Sequence, residues 1–123
     1  MINPHPQRGE VWRVNLPEPF GSEPGGVRYA VVVQNGVLHG LRTRLVVICY
    51  SSINPMRYKG NVFLPKGTGG LPQDCEARCH QLYPADVRRF IERVGEAPPH
   101  TLAEVEVNLL FCLGISSVRE TNT

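Results

Sequence analysis

Two nearly continuous β-branched runs limit the fold more than any other feature: Tyr29-Ala30-Val31-Val32-Val33-Gln34 and Arg44-Leu45-Val46-Val47-Ile48-Cys49-Tyr50. Runs of this composition read as strands with both faces covered, since a half-exposed strand would alternate. They therefore sit inside a sheet with layers above and below, and Asn35-Gly36 marks a turn between them. Upstream, Val11, Arg13 and Asn15 alternate with Trp12, Val14 and Leu16, a half-buried strand with Trp12 on the core face. Residues 17–27 hold three prolines and three glycines, so a surface loop is required. The loop is longer than a hairpin needs and reads as a mobile lid over a site.

Further along, Asn61-Val62-Phe63-Leu64 reads as a short strand, residues 65–70 as turns, and Glu76 to Tyr83 as another strand. Pro84 is expected to open a short helix whose stripe Val87, Phe90, Ile91 and Val94 ends at Gly95. A last helix is expected to start at Thr101, capped by its hydroxyl while Glu104 reaches back. Leu102, Val105, Leu109 and Cys112 or Leu113 form its core face, and Gly114 stops it. Strands followed by helices predict an α+β fold with a compact, mostly antiparallel, barrel-like sheet. At 123 residues one domain is expected over 8–115, with 1–7 flexible and 116–123 frayed.

Composition excludes more than it selects. A hydrophobic fraction of 41% and a charged fraction of 20% belong to an ordinary globular protein, with no apolar run long enough to span a bilayer. Residues 1–7 show no basic-then-apolar pattern, so a cytoplasmic location is expected. The four cysteines, Cys49, Cys75, Cys79 and Cys112, contain no Cys-x-x-Cys pair and read as buried free thiols. Cys75, Cys79 and His80 suggest a metal only until strand alternation turns His80 to the opposite face; neither metal nor cofactor is expected. A net charge of +2 does not by itself announce nucleic acid, but eleven of the thirteen cations are Arg, whose planar fork suits phosphate. Arg42, Arg44, Arg57 and Lys59 flank Ser51-Ser52 in sequence and are expected to concentrate positive charge there.

Arg28, at the mouth of one covered strand, and Ser51 and Ser52, at the end of its neighbour, can meet on one surface suited to phosphate. An ion pair of Arg28 with Glu23, and turn or cap formation by either serine, are the structural alternatives. Arg78 and His80 share a strand face two residues apart, with a structural role for His80 the alternative. Trp12, Phe20 and Tyr58 are candidates to stack on unpaired bases, although core packing also suits Trp12.

These motifs, in order, resemble the MazF/PemK-like toxin family. The matching residues are Arg8-Gly9-Glu10-Val11-Trp12, Gly21-Ser22-Glu23, Arg28 with Val31-Val32-Val33, and Ser51-Ser52 at the family's Thr or Ser. The match continues through Leu71-Pro72-Gln73-Asp74-Cys75, Arg78-Cys79-His80-Gln81, the stretch from Tyr83 to Arg89, and the closing helix up to Gly114. The resemblance implies an SH3-like barrel with a terminal helix. It also implies a sequence-selective, metal-independent endoribonuclease that cleaves single-stranded mRNA to 2′,3′-cyclic phosphate and 5′-hydroxyl ends. The partners it implies are a second copy of the chain, forming a homodimer with an RNA groove, and an antitoxin whose disordered acidic tail blocks that groove. Growth inhibition and DNA binding together with the antitoxin belong to the same implication.

Arg28 matches an essential arginine that the family usually follows with proline; here Tyr29 follows. One branch carries Arg-Cys-Asp-Gln where this chain has Arg78-Cys79-His80-Gln81, so His80 replaces a carboxylate. An imidazole, with an ordinary pKa near 6.5, carries protons at neutral pH better than a guanidinium does. On this basis His80 is expected to transfer protons, Arg28 and Arg78 to stabilise the phosphorane, and Ser51 or Ser52 to hydrogen-bond the phosphate. Trp12, Phe20, Glu23, Arg57, Tyr58, Lys59 and Gln81 are expected along the RNA path. Rival readings are a non-catalytic toxin resembling CcdB that binds gyrase, and a degenerate paralogue that binds RNA or antitoxin without cutting. The polar tail from Ser116 to Thr123 lacks the apolar anchors a docking poison needs.

Overall fold

The structure, a computed structural model, describes residues 3–51 and 59–116. Six strands, β1 (Glu10–Leu16), β2 (Gly26–Val32), β3 (Thr43–Tyr50), β4 (Asn61–Leu64), β5 (Cys75–Asp86) and β6 (Phe90–Glu96), precede one helix, α1 (Pro99–Cys112). Every strand pair is antiparallel. The strand order is β4-β5-β3-β2-β1-β6, and among the described residues the ladder does not close from β6 back to β4. The expected α+β class with its antiparallel sheet is what forms, the sheet being open.

β2 and β3 lie at the centre, and their unbroken apolar runs have the predicted cause. Val31, Val47 and Cys49 enter one core with Val11, Val62, Leu64, Cys75 and Val105 of α1. Ala30, Val32, Val46 and Ile48 enter a second core with Val14, Leu16, Ala85 and Phe90. Each buried Val contributes about 1.5–3 kcal/mol relative to exposure, so central strands without polar alternation are favoured. On α1, Leu102, Leu109 and Cys112 pack against the first core as expected. Gly114, at φ 74°, ends the helix: its N–H donates to the Phe111 carbonyl and that of Ile115 to the Leu110 carbonyl, a Schellman closure that favours glycine. The helix start differs from expectation. Pro98 is the cap and Pro99 the first helical residue, with no side-chain cap bond, and Thr101 is buried within the first turn. Pro at the first position loses no hydrogen bond, which places the start ahead of Thr101.

The largest correction concerns residues 84–95, where a helix was expected. β5 runs through Pro84 to Asp86, a 3-10 turn covers Val87–Arg89, and β6 follows. β4 pairs only with the first part of β5, from Cys75 to Arg78, so β5 is an edge on that side at Pro84, and a missing N–H is tolerated. Asp86 caps the turn by accepting from the Arg88 N–H. β6 then pairs with the outer edge of β1, which a helix would have left open. Phe90 is buried with its ring centroid 5.6 Å from that of Trp12 in an edge-to-face contact. Gly95 is not a helix stop; a Cβ there would lie 2.4 Å from the Gly69 carbonyl oxygen, so the close approach of that turn requires glycine.

A second correction concerns charge. Arg44 opens the far end of β3 from Ser51, roughly 20 Å away at about 3.3 Å per residue, and is 1% exposed. Its guanidinium donates to the carbonyls of Pro6, Leu41, Thr43 and His39, so it knits a corner together. Arg42 sits at the same distal corner, not beside the hydroxyls. His39 packs there too, with both ring nitrogens buried and without a hydrogen-bond partner. Burial, followed by the Arg44 charge, holds its pKa below the ordinary 6.5.

Candidate active site

The ladder between β2 and β3 sets Tyr29 opposite Cys49; one step further, Arg28 and Tyr50 are neighbours. On the other side of β3, Tyr50 pairs with Glu76 of β5. Arg28, Tyr50 and Glu76 thus form a row across three strands, with Ser51 exposed immediately after β3. Arg28 was expected to meet the hydroxyls of Ser51 and Ser52; at the end of β3 it lies instead against the ring of Tyr50.

Both guanidiniums converge on Tyr50. The guanidinium carbon of Arg28 lies 4.8 Å from the ring centroid and that of Arg78 lies 4.0 Å away, within the range of cation–π attraction. Each arginine has a second anchor. Arg28 Nε donates to the Gly25 carbonyl at 3.0 Å, and Arg78 Nε donates to Glu76 Oε1 at 3.0 Å. The Glu76 side chain is only 2% exposed, so its carboxylate is a buried charge neutralised by Arg78. The Tyr50 hydroxyl donates to Gln81 Oε1. Burial raises the Tyr50 phenol above its ordinary pKa, while Arg28 and Arg78 pull it down.

A bulge carries the second arginine. Cys49 pairs with Ala77 and Val47 with Leu82, so two steps along β3 span five along β5. The slack falls at Arg78–Gln81, which swings this segment out of the β3 ladder and towards Tyr50. Cys79 is buried while Arg78 is half-buried and His80 exposed, the expected alternation, with both candidate groups away from the core.

The other candidates separate. Phe20 is 83% exposed on the loop after β1, and Glu23 accepts from the Phe20 N–H at 3.1 Å. Glu23 therefore organises its own loop, in place of the alternative ion pair with Arg28. Trp12 packs on Phe90 and donates from Nε1 to Glu10 Oε1 at 2.9 Å, the core role. Lys59 places Nζ 5.1 Å from the Phe111 ring centroid, against α1. Ser52, Arg57 and Tyr58 lie outside the described residues. Tyr50 and Glu76 were missed by sequence reasoning. Their signal was an aromatic ending an aliphatic run, and a carboxylate at the start of a strand whose neighbours Cys75 and Ala77 are both buried.

The thiols are free. Burial pushes the Cys79 thiol up to about 12 and also raises Cys49, Cys75 and Cys112, the opposite of an activated nucleophile. Among the described residues no group of three or more His, Cys, Asp or Glu is arranged to hold a metal ion.

Known proteins share the sequence pattern and the fold of this chain. Endoribonuclease MazF9 of Mycobacterium tuberculosis (strain ATCC 25618 / H37Rv) is 32% identical over 116 residues, covering 90% of this chain and 98% of its own. The crystal structure of MazF (Form-I) from Deinococcus radiodurans matches with a TM-score of 0.76 at 27% identity, over 92% of this chain and 100% of that one. A mycobacterial endoribonuclease in complex with its cognate antitoxin shares the fold, with a TM-score of 0.73 at 18% identity over 90% and 97% of the two chains. Residues 7–113 match the model of the PemK-like, MazF-like toxins of type II toxin–antitoxin systems, and the chain belongs to that family.

Proposed function

We propose that this chain is a sequence-selective, metal-independent endoribonuclease that cleaves single-stranded mRNA and is neutralised by a cognate antitoxin. The observation that carries the reading is the convergence of Arg28 and Arg78 on the ring of Tyr50 at the end of β3. Two fixed guanidiniums meet the main demand of phosphodiester cleavage, which is stabilisation of charge on the pentacovalent phosphorane. With the substrate's own 2′-hydroxyl as nucleophile no metal is needed, and the products are a 2′,3′-cyclic phosphate and a 5′-hydroxyl.

His80 takes and returns the protons in this reading, Arg28 and Arg78 hold the phosphate, and Ser51 or Ser52 hydrogen-bonds it. Gln81, Phe20 and the loop over 17–25 border the path of the RNA. The reading takes 8–115 as one toxin domain, active as a homodimer, with the acidic tail of the antitoxin competing for the same cationic surface. No helix among the described residues is long and apolar enough to cross a membrane; a cytoplasmic location, where mRNA is found, accompanies the reading. The test is cleavage of single-stranded RNA by purified protein in excess EDTA, with the ends identified. Cyclic phosphate ends are expected. Activity lost to chelator and restored by magnesium rejects the mechanism.

A further inference from the structure

Arg28 and Arg78 come from different strands and carry like charge, yet their guanidinium carbons can be no further apart than the sum of their 4.8 Å and 4.0 Å distances to the Tyr50 centroid. Two like charges at that range repel, so their placement needs a group that attracts both. Their second anchors are unrelated: the Gly25 carbonyl for Arg28 and the Glu76 carboxylate for Arg78. The ring of Tyr50 touches both. An aromatic ring presents negative charge density on its faces, so one ring can attract both guanidiniums while their mutual repulsion keeps them apart. The ring itself is held by the hydroxyl bond to Gln81 and by packing on the second core.

We infer that Tyr50 is a positioning residue for the cleavage reaction, whose ring fixes the spacing of Arg28 and Arg78 so that both engage one phosphate. A guanidinium bonded side-on to a phosphate, with N···O contacts of about 2.8 Å, places its carbon roughly 4 Å from phosphorus. Two such groups on one phosphate are separated by a distance the Tyr50 geometry permits. Pre-setting that spacing removes reorganisation from the chemical step, so the benefit falls on kcat more than on RNA affinity. The assignment rests on the RNA-cleaving reading above.

The test varies the ring's charge at nearly constant shape. Tyr50 is replaced by phenylalanine, then by phenylalanines carrying one, two and three ring fluorines, each of which withdraws charge from the face. Tyr50→Phe is expected to keep kcat within about three-fold, because the ring remains. Across the fluorinated series kcat is expected to fall stepwise by about ten-fold in total, within the range of cation–π strengths, with KM within two-fold or so and Tm unchanged. Tyr50→Leu, which removes the face, is expected to lose about a hundred-fold in kcat; should it fail to fold, the fluorinated series carries the test alone. A flat kcat across that series, or an inactive Tyr50→Phe, overturns the assignment while leaving the nuclease reading intact. A wild type that does not cleave RNA, or that cleaves equally well as Arg28→Ala, overturns that reading first and the role of Tyr50 with it.

Discussion

Arg28 and Arg78 look alike at the site but differ in what they leave behind when removed. Arg28 is anchored to a backbone carbonyl, which water can satisfy once the side chain is gone. Arg28→Ala is therefore expected to raise the cleavage barrier by about 2–4 kcal/mol with little change in melting temperature; parallel loss of fold and activity would make Arg28 structural. Arg78 neutralises a carboxylate that is 2% exposed. Arg78→Ala leaves that charge buried and uncompensated, at a cost of about 3–5 kcal/mol, and Tm is expected to fall on the order of 10 °C. Glu76→Gln on the Arg78→Ala background should restore part of that stability and none of the activity. Single-turnover rates and thermal melts separate the two arginines. For His80, exposed on the bulge, the expected signature is a limb of the pH–rate profile that is absent from His80→Ala. A profile unchanged by that substitution removes His80 from the proton transfers.

At the scale of elements, the distal corner around the 3-10 turn Gly36–Leu38 and the start of β3 makes its own pH prediction. His39 has a folded pKa below its unfolded value of 6.5, so below that pH the unfolded chain binds more protons. Stability present above pH 6.5 is then lost as pH falls towards the folded value. Melts from about pH 7.5 down to about 5.5 should show wild type losing more stability than His39→Gln, and equal losses would mean that His39 does not contribute. The elements also show where the sequence was legible. β2 and β3 were readable because both faces are buried, and α1 because Leu102, Val105, Leu109 and Cys112 lie on one side. Residues 84–95 were not. Val87, Phe90 and Val94 are spaced as on a helix, and only the open edges of β3 and β1, which residues 84–86 and β6 cover, make two strands the better solution. Edges belong to the assembled sheet, which no local window contains. Thr101 misled for a similar reason, since a good capping pair lost to prolines three and two residues earlier. Arg44 misled because sequence nearness to Ser51 is distance along a strand. The candidate site was half legible: Arg28, Arg78 and Gln81 were named from their motifs, whereas Tyr50 and Glu76 join them through cross-strand register.

For the whole molecule, the consequence lies in where the site is mounted. β3 and β2 are the two innermost of six strands, each hydrogen-bonded on both sides. Amides in such strands exchange with solvent only in openings close to global unfolding. Slow deuterium uptake is expected from Ala30 to Val32 and from Val46 to Cys49, with faster uptake over residues 17–25. Equal rates in the two regions would contradict this picture. The strands that carry Arg28 and Tyr50 thus have no low-energy local melting to exploit. An inhibitor cannot silence this enzyme by loosening its centre; it has to sit on the surface and stay there, so the strength of silencing follows the lifetime of the covering complex.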